Sequence, residues 1–209
     1  MDAGYWNELY GSKESLWSGR PNTQLVEQVQ GLEPGTALDV GCGEGADAIW
    51  LAQLGWSVTG IDISVVALQR AATHAADAGP DVARRIEWVR GDLDKYTPEP
   101  ASFTLVTAQY MHLPTLDRIA LHGRLGRAVA PGGTLLIVSH DPTDLETTMG
   151  RPPLHDFFAT AADVAGSLNP EEWEIVIAEA RPRQAPDPSG DQIAIHDAVV
   201  RAQRRTIFP

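Results

Sequence analysis

A strand-like run, Leu38-Asp39-Val40, breaks into Gly41-Cys42-Gly43-Glu44-Gly45-Ala46 and then into a helical pattern. Residue types at this spacing hold a ligand against backbone. Glycine lets the chain take positive φ and lets a ligand approach closely, and the start of the following helix offers unpaired N–H groups to a polar or anionic group. Gly41-x-Gly43-x-x-Ala46 satisfies the G-x-G-x-x-G/A dinucleotide fingerprint. Asp62 lies 21 residues after Gly41 (62 − 41), at the end of the next strand-like run, where a carboxylate accepts hydrogen bonds from ribose hydroxyls. For the glycines alone, a turn without a ligand is a fair alternative. With the strand-terminal acid at this spacing, a nucleoside-bearing ligand is the stronger reading.

A second set of side chains follows later strands. Tyr110 and His112 come after the fourth, His140 and Asp141 after the fifth, and His155 lies in the irregular segment beyond. Ligands of open α/β sheets bind just outside the carboxyl ends of strands, so these groups are candidates to touch a second substrate or to move a proton. Each has a plainer alternative. His112 is placed to cap a helix starting near Pro114, His140-Asp141-Pro142 reads equally as a turn, and His155 as surface. His74, His122 and His196 fall away from that edge and read as structural. The histidines lack metal-ligand spacing, so no metal site is expected. Cys42, inside the glycine loop, is a poor covalent nucleophile.

Positioning these groups requires a layered α/β fold. Short apolar runs alternate with helical patterns, the signature of a parallel sheet. Strands are expected at 36–40, 56–61, 85–89, 102–108 and 134–139. Helices are expected at 46–54, from a Ser64 N-cap to Gly79-Pro80, and at 114–129, the last stopped by Pro131-Gly132-Gly133. Residues 141–170 read as irregular and partly helical. Runs 174–178 and 193–201 make two more strands, joined by a Pro-rich stretch too short for a crossover helix, so this pair is expected to be an antiparallel hairpin.

The 209 residues suit one core domain, 35–209, with an N-terminal segment, 1–34. A single cysteine rules out an internal disulfide and fits a reducing compartment. The N-terminus lacks a signal-peptide pattern, and no stretch is long and apolar enough for a membrane span. A cytoplasmic protein is expected. The net charge of −12 and dispersed basic residues disfavour a nucleic-acid partner, which calls for a basic face.

The succession of motifs resembles the class I S-adenosylmethionine (SAM)-dependent methyltransferases. In that family an acid sits two places before the first glycine, as Asp39 does here. The likeness continues through Val58-Thr59-Gly60-Ile61-Asp62-Ile63-Ser64, Gly91-Asp92-Leu93, Phe103-Thr104-Leu105-Val106 and Pro131-Gly132-Gly133-Thr134-Leu135-Leu136. It implies a Rossmann-like, doubly wound, seven-stranded, mostly parallel sheet ending in the antiparallel hairpin. It further implies SAM as cofactor, S-adenosylhomocysteine (SAH) as product and a small-molecule acceptor. Carried over by position, Gly41, Cys42 and Gly43 face the methionine part. Asp39 orients the loop or meets the amino group, Asp62 holds the ribose, and Ile63, Asp92 and Leu93 meet the adenine. Gln109 faces the ligand at the switch point.

The front end, with Trp6, Tyr10, Trp17 and Arg20, is similar to small-molecule methyltransferases of the thiopurine and tellurite-resistance type. That likeness implies a helical lid over residues 1–34, with Arg20 on the methionine carboxylate and Trp17, like Tyr110, Asp141 and His155, toward the acceptor. Packing of the aromatics on the sheet edge is the alternative. His112 and His140 are then the candidates for catalysis at the acceptor. The strand-four end, Thr107-Ala108-Gln109-Tyr110, lacks the Asn/Asp-Pro-Pro-Tyr/Phe motif of exocyclic base amine methyltransferases. Two other readings stand beside methyl transfer: an NAD- or NADP-dependent oxidoreductase, and a SAM-binding regulatory protein without catalysis.

Overall fold

The computed structural model describes residues 2–111, 113–151 and 153–206. Seven strands form one sheet: β1 (Thr36–Val40), β2 (Ser57–Asp62), β3 (Ile86–Arg90), β4 (Phe103–Gln109), β5 (Val129–His140), β6 (Trp173–Pro186) and β7 (Gln192–Arg204). Their order is β3-β2-β1-β4-β5-β7-β6. The first five are mutually parallel, and β7 runs antiparallel between β5 and β6. The expected doubly wound sheet with its terminal hairpin is thus the observed fold. Strand order reverses between β1 and β4, and the crevice at such a switch point is where open α/β sheets bind ligands.

Helices α1 (Ala3–Gly11) and α2 (Thr23–Val29) precede β1. Helix α3 (Ala46–Gln53) follows β1, while α4 (Val65–Asp77) and α5 (Pro80–Ala83) follow β2. Helix α6 (Thr115–Ala128) joins β4 to β5. Two 3-10 turns, Pro142–Glu146 and His155–Phe157, and α7 (Ala161–Gly166) fill the span before β6. Ser64 caps α4 as expected, its Oγ accepting the Ala67 N–H at 3.2 Å. Such a cap is worth about 1 kcal/mol.

Side chains alternate across each strand, which gives the sheet two apolar faces. Leu38, Val40, Ile137 and Val200 pack with Leu121 and Leu125 of α6 and Val164 of α7. On the other face Ala37, Val138 and Val199 pack with Leu25 and Val29 of α2 and with Ala48 and Leu51 of α3. The same alternation carries three polar residues to the carboxyl edge on the α2–α3 face: Asp39 after Ala37, His140 after Val138, and Asp197 before Val199. His140 and Asp197 are cross-strand partners. Truncating a fully buried core residue such as Leu38 to Ala costs about 2–5 kcal/mol.

Two boundaries differ from expectation. Residues 181–186 are strand rather than connection, and the turn is only 187–191. β6 is the sheet edge, where proline's missing N–H removes no ladder bond, so Pro182 and Pro186 are tolerated. β5 starts at Val129 rather than Thr134. Phe103 pairs Val129 and Leu105 pairs Thr134, so the Pro-Gly-Gly stretch is absorbed in a register shift inside the strand.

Candidate cofactor and acceptor site

The turn after β1 is fixed by backbone. Gly41 and Cys42 both donate to the Ile61 carbonyl, at 2.8 and 3.0 Å, tying the loop to β2. Gly41 and Gly43 have φ of 69° and 53°. A Cβ on Gly41 would stand 2.7 Å from Met111 Sδ, and one on Gly43 2.8 Å from the Tyr10 hydroxyl. Only glycine meets both the backbone conformation and the close neighbours here.

Three carboxylates surround this loop. Asp62 accepts the Gly43 N–H at 2.9 Å and the Ser64 N–H at 2.8 Å. Burial still raises its pKa, against the backbone donors. Asp39 is 2% exposed, and its Oδ2 is buried with no hydrogen-bond partner. Burial, then the charges of Asp47 and Asp62, push its pKa well up, while the Ala48 N–H opposes them. Asp47, in the first turn of α3, accepts the Asn22 N–H at 2.6 Å and is pushed up to about 6 by burial. Among the described residues none of the three has a cationic partner. Buried carboxylates without a cation are costly to ionise. The loop is therefore a place where a positively charged ligand is favoured.

The N-terminal segment crosses this loop. Glu44 Oε2 accepts the backbone N–H groups of Leu16 and Trp17 at 3.1 and 3.2 Å, and its Oε1 pairs with Arg70 at 2.8 Å. Burial would raise the Glu44 pKa, but Arg70 and the two N–H groups outweigh it and leave it lowered. Arg70 also donates to the Lys13 carbonyl. So held, Trp17 gives its indole N–H to the Tyr10 hydroxyl at 3.1 Å, and both rings lie against Gly43.

A different cluster lies beyond β4, β5 and β7. Tyr110 has φ of 51°, a conformation that costs a non-glycine residue about 1–3 kcal/mol and collects at functional sites. Its ring stacks on His140 with centroids 4.4 Å apart, and its hydroxyl donates to Asp197 at 3.1 Å. Burial and the Asp197 charge raise its pKa to about 12, with Arg183 opposing. Asp197, 1% exposed, accepts Arg183 Nε; burial raises its pKa against that cation. Arg151 Nη2 lies 3.1 Å from His140 Nδ1. Guanidinium only donates, so Nδ1 is an acceptor and a neutral His140 carries its proton on Nε2.

The expected residues divide accordingly. Asp39, Gly41, Cys42, Gly43 and Asp62 converge at the β1–β2 edge. Ile63 follows directly, half-buried. Asp92 is partly exposed and paired with Lys95 at 3.0 Å, with Leu93 packed onto the core beside it. Gln109 ends β4, its Nε2 bonded to Thr107 and its Oε1 buried without a partner. Tyr110 and His140 stack together. Asp141 caps the 3-10 turn at 142–146 through the Thr143 N–H and hydroxyl. Trp17 stands at the glycine loop rather than among the Tyr110–His140 group. Arg20 is exposed, its backbone N–H on Ser18 Oγ, and His155 is exposed on the second 3-10 turn. His112 lies outside the described residues. Sequence reading passed over Glu44, Asp47, Met111, Asp144, Arg151, Arg183 and Asp197. Asp47 looks like an ordinary acid at a helix start, Glu44 stands at a variable position of the glycine loop, and the others belong to no motif.

Comparison with known proteins agrees with this geometry. Residues 37–133 match a family model described as a methyltransferase domain. The chain is 30% identical over 138 residues to 2-heptyl-1-hydroxyquinolin-4(1H)-one methyltransferase of Mycobacteroides abscessus, covering 62% of this chain and 60% of that one. It is 36% identical over 144 residues to trans-aconitate 2-methyltransferase of Rhizobium meliloti, covering 68% and 52%. The chain thus spans between half and three fifths of these relatives' length. Its fold is similar to that of TehB from Haemophilus influenzae, with a TM-score of 0.70, 18% identity and coverage of 98% of this chain and 67% of that one. Residues 37–133 are accordingly similar to a methyltransferase domain.

Proposed function

We propose that this chain transfers a methyl group from SAM to a small-molecule acceptor. The observation that carries the reading is Asp39 Oδ2, buried without a partner among carboxylates that have no cation, beside glycines whose Cβ positions are closed to any side chain. SAM brings positive charge at its sulfonium and amino groups, and such a ligand fits this donor-and-acid set. When bound, it supplies an electrophilic methyl carbon.

The chain's own residues then have these roles. Asp62, already fixed by two backbone N–H groups, keeps lone pairs for the ribose hydroxyls. Asp39 meets the amino group, Ile63, Asp92 and Leu93 line the adenine, and Gly41, Cys42, Gly43 and Gln109 face the methionine part. Arg20 reaches the methionine carboxylate. Residues 1–34 act as a lid, with Tyr10 and Trp17 excluding water above the loop. On the acceptor side Tyr110, His140, Asp141 and His155 line the pocket. His140, with Nδ1 facing a guanidinium and its ring stacked on Tyr110, orients the acceptor. Alignment of acceptor and methyl does most of the work, since placement alone supplies several kcal/mol. No helix among the described residues is long and apolar enough to cross a membrane. That, together with the acidic charge and the single buried cysteine, supports a cytoplasmic enzyme without a nucleic-acid partner.

Thermal shift with SAM, SAH, NAD and NADP side by side tests the cofactor. Stabilisation by SAM and SAH alone is expected, about 2.7 kcal/mol at 100 times Kd. A response to NAD or NADP with none to SAH overturns the reading, and SAM binding without SAH production against any acceptor in a broad screen points to a regulatory protein.

A further inference from the structure

Arg151 and Arg183 reach the same place from different segments, one between the two 3-10 turns and the other on β6. Among the described residues, Arg183 bonds through Nε alone, 3.0 Å from each Asp197 oxygen, which leaves its paired Nη groups as donors. Arg151 gives Nη2 to His140, and its Nε is buried with no partner. Both side chains stay partly accessible, at 22% and 30%. Burial holds the Arg151 pKa below its ordinary value, with Asp144 opposing and the Arg183 charge adding to the fall.

The two nearby acids do not use up these donors. Of the guanidinium donors, Asp197 takes only Arg183 Nε. Asp144, fully buried, accepts the His196 N–H at 2.8 Å and stands 3.9 Å from Arg151 Nη2, with its Oδ2 unpartnered. A network serving stability alone would close these bonds, because bare buried polar atoms are costly. Beside the guanidiniums lies a flat surface, the Tyr110 ring on His140, with Arg183 Cζ 5.9 Å from the Tyr110 centroid.

We infer that Arg151 and Arg183 take an anionic oxygen of the acceptor, a carboxylate or an acidic phenol, and hold it beside the Tyr110–His140 stack. This rests on the methyl-transfer reading and names its acceptor class. Guanidinium stays charged at any working pH and its fork matches a carboxylate; it also favours ionisation of a nearby phenol. An oxygen that arrives as an anion needs no base. Its lone pair forms the new O–C bond while the C–S bond breaks and that electron pair goes to sulfur. A neutral ester or ether and a neutral thioether result, and no proton moves.

Calorimetric titration of the full chain, with and without SAH, tests this using benzoate and 4-nitrophenolate against their neutral counterparts benzamide and 4-nitroanisole. At least one anion is expected to bind about tenfold more tightly than its counterpart, and which one distinguishes carboxylate from phenol. Arg151→Gln should remove that preference. For the second arginine the double variant Arg183→Gln/Asp197→Asn is used, which deletes the cation without orphaning the buried acid. No preference for either anion, or a preference that survives both variants, overturns the inference. SAH binding to the unaltered chain is read on the same samples. Its failure counts against methyl transfer, and the anion titration of the SAH-free chain is judged separately.

Discussion

At the β1–β2 end of the carboxyl edge, Asp39, Asp47 and Asp62 face a glycine loop, and none of the three is paired with a cation among the described residues. At the β5–β7–β6 end, two buried acids have a guanidinium beside them, Asp197 with Arg183 and Asp144 with Arg151, while Asp141 caps a 3-10 turn. The first region is incomplete in charge and suited to a cationic ligand. The second holds two guanidiniums with donors left unused, and so is suited to an anion. A sulfonium donor and an anionic acceptor brought together from these two ends would neutralise one another, which is the direction a methyl transfer to oxygen runs.

The largest expected effect comes from Asp62→Ala, which would remove the two ribose hydrogen bonds proposed for this charged acceptor. SAH affinity should fall about 100-fold, from roughly 1.5 kcal/mol per bond, while benzoate binding holds. Loss of both ligands together would mean the two ends are not separate sites. Gly43→Ala comes next. Positive φ and a Cβ 2.8 Å from the Tyr10 hydroxyl should cost about 2 kcal/mol in denaturant melts and change the fluorescence of Trp17. A wild-type melt would remove Tyr10 and Trp17 from the loop. Glu44→Gln should cost about 1 kcal/mol by weakening the Arg70 pair and the Leu16 and Trp17 bonds, and should speed proteolysis before residue 22. Unchanged protection would show that Glu44 does not hold the segment.

The smallest effect is one of slope with pH. Asp47 has its pKa raised from 3.8 to about 6 in the folded chain, and Asp39 moves the same way. A raised carboxylate pKa means the folded state binds the extra proton, so the stabilising contribution is full below pH 4 and is lost as pH rises through about 6. Relative to Asp47→Asn, the unliganded chain should therefore lose Tm across that window, and bound SAM should shrink the difference. A difference that is flat with pH, or that grows when SAM binds, would break the contrast between the two ends.

How legible each end was in the sequence follows from how each is built. The proposed cofactor end lies within residues 39–62 of one β-α-β unit, so periodicity, glycine spacing and a strand-terminal acid bring it out in the sequence. Asp47 escaped because an acid in a first helical turn has an ordinary explanation. The proposed acceptor end joins Tyr110, His140, Asp144, Arg151, Arg183 and Asp197, residues up to 87 positions apart (197 − 110). Their meeting depends on the β5–β7 register, which places His140 opposite Asp197. Alternation along a strand gives the face a residue takes, but not the partner strand's offset. The length of β6 was misread for a related reason: proline signals a loop unless the strand is known to lie at an edge.

The segment between α1 and α2 touches both ends. Glu44 fixes it at Leu16 and Trp17, and Asn22 gives its N–H to Asp47, while its side chain acts to lower the Tyr110 pKa. If ligand exchange requires this segment to lift, the dwell time of product is set by bonds that touch neither reactant. Glu44→Gln should then quicken SAH departure in stopped-flow Trp17 fluorescence by more than it weakens SAH affinity, because arrival speeds up as well. The chain would carry its own timer, and the pace of successive turnovers would be tuned from a loop acid remote from the transferred carbon.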